Sequence, residues 1–184
     1  MFCMVVSLLL PVAGSGQESP LYTGFNVKNI SAHTKDNVVY LGANIDYSFS
    51  EVVLEAIRNG IPISILLQIR LIEKRTLLWD KTLVDINNHY QLQYHALTRQ
   101  YLLKNISAGT QQNFITLQLT LSSLGTISDL PLVNSEYLST DRHYYVHISP
   151  YIDIESLPSP LRPVAYITPE WQFSGKWYIW PLKN

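Results

Sequence analysis

Residues 63 to 72, ISILLQIRLI, constrain the fold of this chain more than any other stretch. Ile65, Leu67, Ile69 and Leu71 share one parity, while Leu66, Gln68, Arg70 and Ile72 share the other. A period of two places the first set on one face of a β-strand and leaves the second face mixed. A face of unbroken aliphatic residues must be covered by another layer, so sheet packing is expected from this segment alone.

Its neighbours carry the same texture. GFNVKNISAH (24–33) and VVYLGANIDY (38–47) flank the turn-forming Lys35-Asp36-Asn37 and read as a hairpin. In the second run Val39, Leu41, Ala43 and Ile45 face one way, and Asn44 and Asp46 the other. LLWDKTLVDI (77–86) and HYQLQYHAL (89–97) read as two further strands of an antiparallel meander. HYYVHISPYIDI, from His143 to Ile154, reads as another strand, with Pro150 at a bulge or an edge.

Helical signals are fewer. In YSFSEVVLEAIRNGIP, Ser48 and Glu51 have capping-box spacing, and Tyr47 with Val52 suits a hydrophobic staple. Val53, Leu54 and Ile57 then share a helical face, Gly60 suits the left-handed C-terminal position, and Pro62 stops the helix. NFITLQLTLSSLGTI (113–127) fits two patterns: alternation through Leu121 argues strand, whereas Leu117, Leu121 and Leu124 before Gly125 suit a short helix. No βαβ alternation occurs. The expected fold is therefore mainly β, an antiparallel β-sandwich of about seven strands with one or two short helices.

Length and charge narrow the function. The chain's 184 residues suit one domain with a core that needs neither disulfide nor metal. A net charge of -1 offers no electrostatic footprint for a phosphate backbone, which removes nucleic acid as a partner. Residues 1–16 begin MFCMVVSLLLPVAG, an apolar run short for a membrane span and of the length of an export-signal core. No Lys or Arg precedes it, so a buried N-terminal strand and an uncleaved anchor remain alternatives. Cys3, the one cysteine, precedes most of that run, against the order a lipid anchor requires. Residues 17–184 then form the single domain.

No reaction signature stands out. His143 and His147 share a strand face at roughly 13 Å, too far apart for one zinc ion. His95 near Arg99 reads as an outward strand position. Asp153 and Glu155 would lie roughly 6.6 Å apart if the strand continued, a separation compatible with paired-carboxylate hydrolysis. Nucleophile-elbow, zinc-protease, P-loop and dinucleotide motifs are missing. The expectation is a non-enzymatic protein with no cofactor and no metal.

Two features near the end invite an interaction role. Pro158, Pro160 and Pro163 fix φ and remove donors, so residues 157–163 are expected to leave the sheet as an extended strap and cross to the other sheet. The strap delivers an aromatic segment, residues 171–180, in which Trp171, Phe173, Trp177, Tyr178 and Trp180 fall within ten positions. Such residues are frequent in interface hot spots and at membrane interfaces, and equally serve as a closing strand.

DIESLPSPLRPVAYITPEW, GKWYIWPL, HALTRQY and SEVVLEAIRNGIPI together resemble the proteobacterial family catalogued as domain of unknown function 4390, across roughly residues 22 to 182. The resemblance implies an exported protein of a Gram-negative cell, of the kind described as proline-rich signal-peptide proteins. It implies a short helix for FITLQLTLSSLG, and it carries no catalytic residues. Its gene neighbourhood implies a membrane sensor histidine kinase as partner. The missing basic start departs from the family pattern.

Together these readings lead to a periplasmic, non-enzymatic interaction module that binds another envelope protein and stays near the membrane if residues 1–16 are retained. Arg162, Trp171, Trp177, Tyr178 and Trp180 are its expected contact residues. Two other classes remain: a carrier of an apolar, lipid-like ligand held between the sheets, and a hydrolase using Asp153 and Glu155.

Overall fold

Asp36 and Asn37 both adopt left-handed backbone, φ 49° and 62°, which a tight hairpin needs and which these two residue types tolerate. They join the first two strands of a computed structural model that describes residues 24–172 and 177–183. The apolar segment 1–16 and Phe173 lie outside the described residues. In chain order the elements are β1 (Gly24–Lys35), β2 (Val38–Ser48), α1 (Glu51–Arg58), β3 (Ile63–Lys74), β4 (Lys81–His95), β5 (Gln100–Asn105), β6 (Thr110–Phe114), α2 (Leu117–Gly125), β7 (Thr126–Asn134), β8 (His143–Ile152), α3 (Arg162–Ile167) and β9 (Tyr178–Leu182).

The strands form two antiparallel sheets, one ordered β1-β2-β7 and the other β6-β5-β4-β3-β8-β9. Alternation decides which faces meet. Val39, Leu41, Ala43, Ile45 and Tyr47 of β2 are buried, and so are Ile63, Ile65, Leu67, Ile69 and Leu71 of β3. Val146 and Ile148 of β8 join them in one apolar cluster drawn from both sheets, as in a β-sandwich. Each fully buried aliphatic side chain contributes about 1.5–3 kcal/mol relative to exposure, so β3 is the energetic centre. Pro131 and Pro181 lie on the edge strands β7 and β9, where a missing donor costs no ladder bond. Pro150 is paired to Leu67 of β3 but lies beyond the stretch of β8 that β9 covers, the edge position expected of it.

Several local expectations need correction. Residues 77–86 and 89–97 are not two strands. One continuous strand, β4, starts at Lys81, and residues 75–80 form the turn after β3. Leu77, Leu78 and Trp79 stand in that turn, without the cross-strand partners that their β-propensity would need. The cap of α1 is Ser50 rather than Ser48: the Val53 amide donates to its hydroxyl at 3.2 Å, while Ser48 closes β2 and Glu51 pairs with Arg58 at the helix surface. Val53, Ala56 and Ile57 supply the buried face, and Gly60 takes φ 78° after the helix as expected. The ambiguous stretch resolves as helix α2, capped by Thr116.

The strap also differs from expectation. Leu157 is extended and buried, but Leu161 is helical and Pro163 lies in the first turn of α3, where its missing donor is harmless. The segment connects β8 to β9, which pair with each other, so it returns the chain to the same sheet instead of crossing. β9 is the closing strand, with Leu182 buried and Tyr178 and Trp180 packed against the core.

Candidate functional site

The outer face of the six-stranded sheet carries the polar half of the β3 alternation. Cross-strand register sets Asp85 of β4, Arg70 of β3 and His147 of β8 side by side, with Ile179 of β9 next in the row. Asp85 is the hub. It accepts from Arg70 Nε at 3.0 Å, from Gln68 Nε2 at 3.1 Å and from Asn87 Nδ2 at 3.3 Å. Arg70 is thereby held with its guanidinium 4.9 Å from the ring centroid of Trp177, a cation–π distance. The His147 ring lies 5.9 Å from the same indole and tilted to it. Burial pushes the His147 imidazole below its ordinary value; Asp80 opposes this, and Arg70 and Lys74 reinforce it.

The five expected contact residues do not form one surface. Trp177 alone occupies this outer face, half-buried and flanked by cation and imidazole. Trp171 is a core residue, 4% exposed, and is not available to a partner. It is fixed from α1, because the Ser50 hydroxyl donates to the Glu170 carbonyl at 2.7 Å. Tyr178 and Trp180 have the opposite parity to Ile179 and face inward. Arg162 is a clamp on the strap: its Nε donates to the Leu157 carbonyl at 2.8 Å, and Nη1 lies 3.9 Å from Glu155.

Other candidates also separate. β8 ends at Ile152, so Asp153 and Glu155 do not share a strand face; Asp153 caps a one-turn 3-10 helix and Glu155 accepts from the Tyr166 hydroxyl. His143 is exposed at the start of β8, four residues from His147. His95 ends β4, and Arg99 lies in the following turn with φ 53°. Sequence reasoning missed Arg70, Asp85 and Gln68, although polar side chains alternating through an otherwise aliphatic strand were the signal for them.

A second feature is an open cleft of about 570 Å³ between the end of β2 and helices α1 and α2, where Ile45, Phe49, Leu54, Leu117 and Leu121 alternate with polar groups such as Asp46 and Gln118. Burial, reinforced by Tyr90, holds the Tyr47 phenol well above its usual value.

The model of the family described as Domain of unknown function (DUF4390) matches residues 23–181, and the chain belongs to that family. No curated protein and no solved structure matches it.

Proposed function

We propose that this member of the family is a non-enzymatic interaction module of the cell envelope, docking a protein partner on the outer face of its larger sheet around Trp177. The observation that carries this reading is the seating of Trp177 over Arg70, itself fixed by Asp85. An indole over an arginine whose partner Asp85 also accepts from Gln68 and Asn87 has the make-up of an interface hot spot, where aromatic and Arg residues dominate binding energy. The expected compartment is the periplasm, and the family's gene neighbourhood favours a membrane sensor kinase as the partner.

In-cell photo-crosslinking from a reactive analogue at position 177 tests the reading. A discrete protein adduct, lost when Arg70→Ala unseats the indole, is the expected result. Intramolecular products only, together with unchanged partner recovery in Trp177→Ala, would overturn it. Fractionation should recover the chain from the periplasm, and recovery from the cytosol contradicts the compartment.

The cleft supports a second reading as a carrier of an apolar ligand, held beside β2 and the helices and not between the sheets, where the core is packed, since its volume falls within the range of small-molecule sites. Native mass spectrometry of the freshly purified protein should then show a bound lipid-sized mass that Leu121→Trp removes. A spectrum of the bare chain alone rejects the carrier.

A further inference from the structure

The turn between β3 and β4 holds the largest exposed apolar group among the described residues: Leu77 and Trp79 are 95% and 94% exposed, and Leu78 is 68% exposed. Soluble domains scatter single exposed apolar residues, but three in succession at a hairpin end require a reason.

The turn is built to display them. Glu73, buried before the turn, accepts from Arg142 Nη1 at 2.6 Å and Arg75 Nε at 3.1 Å. Burial works against that carboxylate's charge, but the hydrogen bonds and charges of Arg75 and Arg142 outweigh it and hold the pKa below the usual range. On the other side Asp80 accepts from Lys74 Nζ at 3.0 Å and from the Arg75 amide at 3.3 Å. These polar groups bind one another, and the three apolar side chains are left projecting.

Charge and spacing identify what covers them. The last ladder pair is Glu73–Lys81, so the turn reaches up to about three residues, or roughly 10 Å, beyond the sheet. At the base of the turn the four cations Lys74, Arg75, Lys81 and Arg142 outnumber the three acids Glu73, Asp80 and Asp141 by one. Lys74, Arg75 and Arg142, with the acids Glu73 and Asp141, line a concavity of about 630 Å³ to which Leu77 and Leu78 also contribute. An apolar tip with a slightly cationic base matches the layering of an anionic bilayer surface, whose polar zone is roughly 5–8 Å deep on each side. Tryptophan prefers that zone, and cations are drawn to anionic headgroups there. A protein interface instead centres its anchors in a patch surrounded by a rim, which a projecting three-residue tip lacks.

We infer that the β3–β4 turn is a membrane-contact element that inserts Leu77, Leu78 and Trp79 into the interface of an anionic phospholipid bilayer, with the small cationic excess of Lys74, Arg75, Lys81 and Arg142 over Glu73, Asp80 and Asp141 facing the headgroups. The inference goes beyond the protein-docking reading and does not depend on it, because pure lipid tests it.

The full chain is mixed with vesicles of phosphatidylethanolamine and phosphatidylglycerol doped with a brominated lipid, which quenches an indole that enters the interface. Because residues 1–16 could bind lipid independently, the readout is specific to the tip: the quenching difference between the native chain and Trp79→Phe. Quenching of Trp79, a roughly ten-fold loss of tip insertion in Leu77→Ser, and weaker quenching in vesicles without phosphatidylglycerol are expected. An unquenched Trp79 in a chain that still binds vesicles overturns the inference. So does an in-cell crosslink from position 79 that captures one protein and no lipid, or self-association that hides Trp79 in lipid-free buffer.

Discussion

The β3–β4 turn and the C-terminal segment are both short stretches dense in large apolar side chains, yet the fold treats them oppositely. Trp171 is buried, and Tyr178, Trp180 and Leu182 close the larger sheet, whereas Leu77, Leu78 and Trp79 stay exposed among the described residues. The difference lies in partners rather than in composition. The tail has a strand, β8, to pair with and a serine on α1 to anchor its approach. Between Lys74 and Lys81 the turn joins no ladder among the described residues, and most of its charges are tied into the clamp around Glu73 and Asp80. Burial of an apolar residue therefore follows from what the rest of the chain can bring to it.

Substitutions can break that contrast. Trp171→Ala should cost about 3–5 kcal/mol in denaturant unfolding, the usual range for emptying a buried aromatic site. A loss below about 1 kcal/mol would put Trp171 on the surface with the tip. Arg162→Ala should cost about 1 kcal/mol, a charged hydrogen bond discounted for partial exposure, by releasing the Leu157 carbonyl. If Arg162 were instead a contact residue, stability would not change and partner binding would.

A third test uses pH. The folded His147 imidazole titrates below its ordinary value near 6.5, so the unfolded chain binds the proton more tightly. That stability is fully present above pH 6.5 and is lost as pH falls through the depressed folded value. Thermal unfolding between pH 7 and 5 should show this slope, and His147→Gln should flatten it; an unchanged slope would mean that the ring beside Trp177 is not desolvated. The smallest effect belongs to the tip: Trp79→Ala should shift stability by no more than about 0.5 kcal/mol. A larger loss would reveal packing that this geometry lacks.

Much of the sandwich was legible because parity leaves little choice in β2 and β3, where a one-residue slip would expose every aliphatic side chain. The Asp36-Asn37 turn and Gly60 were legible because few residues tolerate their backbone. Legibility failed where two local readings compete and only distant contacts decide. Ser48 and Ser50 both precede the helix, and β2 uses the first, which leaves the second to cap. Leu77 to Trp79 have strand propensity but no strand opposite. β5 and β6, QYLLKN and TQQNF, are too polar to announce themselves and exist as extensions of the β4 edge. The site is less readable still: Trp177 stands out in the sequence by its ring, while Arg70, Asp85 and His147 come from three strands whose register no single segment encodes.

β3 draws its two partners from opposite ends of the folding schedule. β4 follows it directly, but β8 joins it only through pairs such as Lys74–His143 and Ile65–Ile152. A chain emerging N-terminus first thus carries one unpaired edge of its most apolar strand until roughly seventy further residues have followed Lys74. Long-range pairing of this kind slows folding, and an open apolar edge invites pairing with other chains. The central sheet is consequently the last part to become safe from aggregation, and conditions that delay the arrival of β8 should lower the yield of folded protein more than they lower its final stability.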